Sequence, residues 1–361
     1  MARRSAWLLA SLVALLLAGG LLLATVPAAQ DAVLRRMVAR RMRAAPRDLF
    51  ADDALRVLLC GTSSPLPHPT RAKACTAVFA GGRFWIVDVG PGAWNRLALS
   101  QVDGARIAGV LLTHFHSDHI GELGELNLQT WVAGRPGPLP VFGPPGVERV
   151  VAGFAEAYAL DSGYRTAHHG AALLPPEAGR MEAHPVPGPA ERGGLETVLD
   201  TDGVRITAFV VTHAPVRPAY GYRFDYRGRS VVVSGDTVQD RAVVAAARGA
   251  DVLVHEAQAN HLVAILREAA ERSAHPRIAK ILGDIPSYHT SPVQAAEVAN
   301  EAHVRLLVLS HLTPPPPAWL VARAFVRGVD AVRPRGWILG DDGLLVTLPA
   351  GGDAVRVGRV E

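Results

Sequence analysis

The sequence predicts an α/β fold, in which helices pack against layers of β-sheet. Hydrophobic residues make up 49% of the 361 residues and charged residues 19%. This composition supplies a sizeable core and excludes a disordered chain. Beyond Pro46, short apolar runs alternate with Gly and Pro, and helical stretches are interspersed among them. That alternation favours α/β layers over a β-sandwich.

An uncharged, Leu-rich run over residues 6–29 is long enough to span a bilayer. Arg3 and Arg4 precede it, as in a secretory signal, and the small residues Val26 and Ala28 would suit cleavage after Ala28. We therefore predict that residues 1–30 form a transmembrane anchor or a signal sequence. The anchor is preferred because the run is longer than a typical signal core.

Residues 31–50 form an Arg-rich juxtamembrane segment, which we expect to lie as an amphipathic helix on a lipid surface. The five arginines of residues 31–43 favour a cytoplasmic body, whereas the two arginines at the start favour export, so the side of the membrane stays open. The net charge of the whole chain is +4. Residues 1–43 have a net charge of +6, so the rest of the chain has a net charge of −2. The basic balance thus favours lipid headgroups over nucleic acid as a partner.

One large domain is predicted over residues 51–349, followed by a tail over residues 350–361. A segment over residues 134–196 is rich in Pro, Gly and Ala and predicts a long, partly irregular insertion. Strands are predicted at residues 55–60, 76–79, 84–89, 107–112, 204–211, 222–226, 230–233, 251–255 and 306–309, and helices at 121–132, 146–158, 241–248 and 292–302. Ser291, Pro292 and Gln294 predict a capping box at the start of the last helix.

Four potential metal ligands follow the predicted strand at residues 107–112. Two cysteines are too few for a Cys-based zinc cluster, so His, Asp and Glu must hold any metal. A loop between strand and helix can turn all four side chains toward one cavity, with His114 and His116 on one ion and Asp118 and His119 on a second. These ligand atoms suit zinc, and also manganese or iron.

This His-x-His-x-Asp-His pattern resembles the metallo-β-lactamase superfamily, and the similarity extends over residues 55–348. The resemblance implies a four-layer αββα fold and two divalent metal ions, zinc being preferred. Residues 61–65 are similar to the turn after the first strand, and Asp88 to the aspartate that supports the metal loop. The implied ligands are His114, His116, His213 and Asp236 on one ion, and Asp118, His119, Asp236 and His311 on the other.

Two further motifs resemble the tRNase Z branch of this superfamily and the secreted arylsulfatases that share them. Residues 254–257 are similar to its "HEAT" element and residues 289–292 to its "HST" element. The resemblance implies that His289 donates a proton and that Glu256 orients it. Asp118 is predicted to act in catalysis as well as in metal binding.

We expect a dinuclear hydrolase that cleaves a small anionic ester, an aryl sulfate or a phosphodiester, by attack of a hydroxide bridging the metals. The alternatives are a tRNA 3′-end endonuclease and a membrane-anchored biosynthetic or accessory protein of the same fold. The tRNA alternative ranks lower because residues 134–196 carry mixed charges and no lysine, whereas the tRNase Z arm is basic. Nucleic acid is therefore not expected as a partner, and the sequence allows a homodimer.

Some candidates remain open at this stage. Arg217 and Arg223 are candidates for contact with an anionic substrate. The pair His168 and His169 either lines the mouth of the site or lies in a solvated loop. Two cysteines, Cys60 and Cys75, form one disulfide in an exported protein or remain free thiols.

Overall fold

The computed structural model divides the chain into two compact units, Met1–Asp48 and Leu49–Glu361. The predicted boundaries after residues 30, 50 and 349 stay predictions. The structure describes residues 2–43, 49–50, 53–189 and 193–360. Residues 44–48 with Pro46, residues 51–52 at the predicted start of the large domain, residues 190–192 and the last tail residue, 361, lie outside the described residues.

The first unit contains two helices, α1 (Ala2–Thr25) and α2 (Pro27–Arg43). Helix α1 ends at Thr25 because Pro27 has no N–H to donate and disfavours helical geometry in the residue before it. No single helix among the described residues is long and apolar enough to cross a membrane, although most of α1 and α2 together form a candidate pair bent by 93°. The predicted single span over residues 6–29 is therefore not supported.

The second unit contains two β-sheets. The first has eight strands, with parallel pairing from β3 to β6 and antiparallel pairing elsewhere. In spatial order these are β15 (Arg356–Arg359), β14 (Leu344–Pro349), β1 (Ala54–Gly61), β2 (Cys75–Ala80), β3 (Arg83–Val87), β4 (Ile107–Leu111), β5 (Leu139–Gly143) and β6 (Met181–Pro185).

The second sheet has seven strands. Strands β7 to β10 pair antiparallel, and β10 to β13 pair parallel. In spatial order they are β13 (Trp337–Leu339), β12 (Leu306–Thr313), β11 (Val252–Gln258), β10 (Arg229–Val233), β9 (Val216–Tyr226), β8 (Val204–His213) and β7 (Glu196–Thr201).

Helices cover the outer face of each sheet. One apolar cluster joins inward side chains of both sheets, among them Trp85 and Tyr222. A second packs the first sheet against α3, α5 and α6, and a third packs the second sheet against α7, α10, α11 and α12. The predicted α/β fold with two sheets is therefore confirmed. The helices of this unit are α3 (Ala93–Leu99), α4 (Ser117–Ile120), α5 (Leu123–Val132), α6 (Val147–His169), α7 (Arg241–Ala246), α8 (Asn260–Arg272), α9 (Pro276–Asp284), α10 (Pro292–Glu301), α11 (Trp319–Phe325) and α12 (Val329–Val332).

Two sequence predictions about local structure have opposite outcomes. The capping box at α10 is confirmed: Gln294 N donates to Ser291 Oγ at 3.2 Å, and Ser291 N donates to Gln294 Oε1 at 2.9 Å. The insertion over residues 134–196, predicted to be partly irregular, is more regular than expected, because it contains β5, α6 and β6. Its glycines mark element ends: Gly146, with a φ of 106°, precedes α6, and Gly170 follows it.

A disulfide joins Cys60 of β1 to Cys75 of β2. The two strands pair antiparallel there, and the Cα atoms of the cysteines lie 5.0 Å apart. Of the two states that the sequence left open, the structure thus contains the disulfide.

Candidate metal centre

The loop after β4 is held in place by Asp88. Its carboxylate accepts hydrogen bonds from Thr113 N, Thr113 Oγ1 and His119 Nδ1, each at 2.8 Å. Asp88 has a φ of 58°, a left-handed conformation that aspartate tolerates better than most residues. A Cβ at Gly90 would lie 2.0 Å from Asp118 O, so only glycine allows this close approach. The supporting role predicted for Asp88 therefore has a structural basis.

Three histidines form the first group of donor atoms. His114 and His116 come from the loop, and His213 ends β8. His114 Nε2 and His116 Nδ1 lie 2.9 Å apart. His213 Nδ1 donates to Tyr288 O at 3.0 Å, which leaves its buried Nε2 without a hydrogen-bond partner among the described residues. A second nitrogen fixed in this way is typical of a metal-binding histidine.

Asp118, His119 and His311 form the second group. His311 Nε2 lies 3.1 Å from Asp118 Oδ2 and 3.2 Å from His119 Nε2. His311 has a φ of 45°, an uncommon conformation of the kind that concentrates at functional sites. Asp118, His119 and His311 are all buried, so their charges and lone pairs are shielded from water.

Asp236 lies between the two groups. Its Oδ2 is 3.3 Å from His119 Nε2, 3.9 Å from His213 Nε2 and 4.0 Å from His114 Nε2, and its Oδ1 is 3.5 Å from His311 Nδ1. Gly235 before it has a φ of 62° and no room for a Cβ, which would lie 2.3 Å from Tyr220 O. This turn at the end of β10 therefore places a carboxylate where two cations could share it.

The electrostatics of the group favour cation binding. Burial lowers the pKa of His114 well below its ordinary value, and the neighbouring His119 lowers it further. Burial would raise the pKa of Asp236, but His311 and His119 outweigh this effect and hold it well below its usual range. For His119, burial opposes protonation, but Asp236 and Asp88 outweigh it and raise its pKa well above the ordinary value. A proton held there by two carboxylates would leave when a cation takes its place.

Glu256 and His289 form a hydrogen-bonded pair beside Asp236. Glu256 Oε1 accepts from His289 Nδ1 at 2.8 Å and from Thr237 N at 3.0 Å. Donor atoms of His289, His213 and Asp236 lie within 4.8 Å of one another. Burial lowers the pKa of His289, but the charge of Glu256 and its hydrogen bond outweigh this effect and raise it to about 9.

All nine predicted site residues therefore lie in one region of the larger unit. Their roles stay predictions. Sequence reasoning missed Tyr288, whose carbonyl orients His213, and Thr113, which connects Asp88 to the loop. Both are direct neighbours of a predicted site residue, which is the signal that would have identified them.

The other candidates have different surroundings. Arg223 pairs with Asp225 through its Nε and Nη2 atoms and donates to Ala246 O, so its charge is already satisfied. His168 and His169 are exposed at the end of α6, not in a loop. Arg217 is exposed next to His213.

Comparison with known proteins identifies the family. Residues 85–312 match the family model of the beta-lactamase superfamily domain. Ribonuclease Z of Mycobacterium bovis (strain BCG / Pasteur 1173P2) is 40% identical over 264 residues, which cover 72% of this chain and 86% of the relative. Ribonuclease Z of Mycobacterium avium (strain 104) is 41% identical over 263 residues, which again cover 72% of this chain and 86% of the relative. The chain belongs to the β-lactamase superfamily, in its ribonuclease Z branch. It is a metallohydrolase of this superfamily that cleaves an ester bond.

Solved structures of the superfamily have the same fold. The short form of human tRNase Z superimposes with a TM-score of 0.57 at 21% identity, covering 81% of this chain and 99% of that protein. The long form of yeast RNase Z superimposes with a TM-score of 0.56 at 16% identity, covering 84% of this chain and 42% of that protein.

Two predictions about the substrate are wrong in the light of these relatives. A small anionic ester, such as an aryl sulfate, was expected as the substrate ahead of RNA. Nucleic acid was not expected as a partner. The relatives at about 40% identity are named ribonuclease Z, which overturns both rankings. The error arose because net charge and the composition of residues 134–196 were taken as evidence about the substrate.

Proposed function

We propose that this protein is an endoribonuclease that removes the 3′ extension of precursor tRNA. The observation that carries the proposal is the 40% identity to ribonuclease Z over 86% of that relative. The buried His and Asp residues around Asp236 support it, because hydrolysis of a phosphodiester needs positive charge near the non-bridging oxygens.

The donor set fits two divalent cations, and zinc is the ion we propose. His114, His116, His213 and Asp236 would hold the first ion, and Asp118, His119, Asp236 and His311 the second. The buried Nε2 of His213 and Oδ1 of Asp236 have no hydrogen-bond partner among the described residues, as expected of atoms that bind an ion. Nitrogen and carboxylate ligands without cysteine suit zinc. Bound ions would supply Lewis acidity that activates water and neutralises charge on the phosphate.

Individual residues of the chain would donate a proton, orient the donor and hold an ion. His289 would donate a proton to the ribose oxygen that leaves, because Glu256 keeps it protonated at neutral pH. Glu256 would fix the tautomer and orientation of the ring through the 2.8 Å hydrogen bond. Asp118 would act in catalysis by holding the second ion, with His311 hydrogen-bonded to it.

The proposal is tested by a hydrolysis panel with the full chain, reconstituted with zinc and analysed for metal. The substrates are a precursor tRNA with a 3′ trailer, an aryl sulfate and bis(p-nitrophenyl) phosphate. We expect one cut at the 3′ end of the acceptor stem, abolished in Asp236→Asn and after chelation. Hydrolysis of the aryl sulfate without any cut in precursor tRNA would overturn the proposal.

A further inference from the structure

A second cleft lies directly beside the metal centre, where β8 turns into β9. Its cavity volume is about 520 Å³. The lining includes His213, Ala214, Val216, Arg217, Pro218 and Pro189. His213 is shared with the metal centre, so the cleft and the predicted metal ligands are continuous.

Arg217 contributes a positively charged guanidinium to the lining of this cleft. Among the described residues, the lining contains no carboxylate and the Arg217 side chain makes no ion pair or hydrogen bond. By contrast, Arg229 pairs with Asp251 at 2.9 Å, and Arg223 pairs with Asp225 at 2.8 Å. An exposed guanidinium that has no acid partner, in a cleft that continues from a hydrolytic centre, is available to bind an anion.

The position of Arg217 limits which anion it can reach. Val216 pairs with His213 across the β8–β9 turn, and Arg217 is the next residue. Since consecutive Cα atoms are about 3.8 Å apart, the backbone of Arg217 lies close to that of His213, and both residues line the cleft. A side chain that starts at this position can reach a group one step along an RNA strand from the atom being hydrolysed.

We infer that Arg217 binds the RNA phosphate next to the scissile one and so sets the register of the RNA strand in the cleft. This inference rests on the proposed function and names a subsite for it. A bidentate guanidinium–phosphate contact positions a strand without specifying its sequence. The apolar residues Ala214, Val216 and Pro218 would contact the sugar and base of the same nucleotide.

The test compares Arg217→Ala and Arg217→Lys with the wild type and with Arg335→Ala as a matched control. Arg335 is exposed and precedes the amino end of β13, whereas His311 lies near the carboxyl end of the neighbouring parallel strand β12. Steady-state kinetics are measured on precursor tRNA and on bis(p-nitrophenyl) phosphate, which has no neighbouring phosphate. Stopped-flow anisotropy records binding of a short single-stranded RNA before cleavage, over a range of salt concentrations.

We expect Arg217→Ala to raise KM for precursor tRNA about tenfold, with a smaller change in kcat. The slope of log Kd against log salt should fall by about 0.7, the value for one phosphate contact on a single strand. Arg217→Lys should keep the slope but not the full affinity. Kinetics on bis(p-nitrophenyl) phosphate should stay unchanged in each variant, as should all parameters in Arg335→Ala.

Two results separate this inference from the proposed function. If the wild type binds RNA with a slope that depends on Arg217 but cuts no precursor tRNA, the subsite stands and the proposed function fails. If precursor tRNA is cut and Arg217→Ala binds RNA with the wild-type affinity and slope, the subsite is refuted. A loss in Arg217→Ala that is equal on RNA and on bis(p-nitrophenyl) phosphate would also refute it.

Discussion

At the scale of the residue, the proposed chemistry depends on one proton of His289. Glu256 accepts from His289 Nδ1, so the opposite ring nitrogen is the one that would donate to a substrate. The pKa of His289 is raised to about 9, so the ring is charged at pH 7 and loses its proton as the pH rises through that value. A histidine that donates a proton is active at pH values below its pKa and inactive above it, because only the protonated ring can donate.

His289→Ala should therefore lower kcat on precursor tRNA by about 10²- to 10⁴-fold, because a ribose alkoxide leaves poorly without a proton. On bis(p-nitrophenyl) phosphate the loss should be only a few-fold, since nitrophenoxide needs no protonation to leave. Glu256→Gln keeps the shape of the side chain but removes its charge, so the alkaline limb of the kcat–pH profile should move to lower pH. Equal losses on both substrates in His289→Ala would contradict the proton-donor role.

At the scale of the element, the sequence predicted features that are local. The capping box of α10 was predictable because Ser291 and Gln294 are three residues apart and satisfy each other's backbone donors. Helix α6 was predicted only as far as residue 158, although it continues to His169. The buried residues of α6 are Val147 and Val151, both in its first half, so residues 159–169 show no apolar stripe that would have predicted the continuation.

Other elements were not predicted, and only some of them depend on distant contacts. Helices α8 and α9 lie between Glu256 and His289 in the chain, where no helix was predicted. They pack mainly on each other, through Val263, Ala270, Ala279 and Leu282, so their contacts are local and the sequence pattern was overlooked. The placement of β1 between β14 and β2, in contrast, joins residues almost 300 positions apart, and no local pattern encodes that pairing.

The capping box gives a prediction about stability. Ser291→Ala removes the acceptor for Gln294 N, which should lower the free energy of unfolding by about 1 kcal/mol. The measurement is urea denaturation followed by circular dichroism. Ser291→Asp offers the same acceptor and serves as the control, so it should retain most of the stability. A loss in Ser291→Asp as large as in Ser291→Ala would show that the cap does not contribute.

At the scale of the whole molecule, the site exists only where the two sheets come together. The loop that carries His114 to His119 follows β4 of the first sheet, whereas His213, Asp236 and His311 come from the second sheet. The four predicted ligands of the loop were recognisable from their motif after a strand, whereas His213, Asp236 and His311 were implied by the resemblance. Their convergence was implied by the resemblance to the superfamily, because the order of strands in two mixed sheets does not follow from local sequence.

This arrangement predicts that bound cations stabilise the folded domain. Without them, two carboxylates and several imidazoles are buried at close range, and that arrangement is favourable only when the charges are balanced. An ion at about 100 times its Kd adds about 2.7 kcal/mol per site, so two ions should raise Tm by roughly 10 °C.

The measurement is calorimetry on the full chain, as prepared and after chelation, together with metal analysis of each sample. Asp236→Ala removes the shared carboxylate and should lower the metal content from two ions toward one or none, with a correspondingly lower Tm. Arg335→Ala leaves the site intact and should show the wild-type metal content and the wild-type response to chelation. Because binding requires deprotonated ligands, the stabilisation should also weaken as the pH falls. Two ions retained in Asp236→Ala would contradict the assignment of Asp236 as the link between the two sites. A Tm that chelation does not change, although the metal is lost, would contradict the stabilisation of the domain by bound cations.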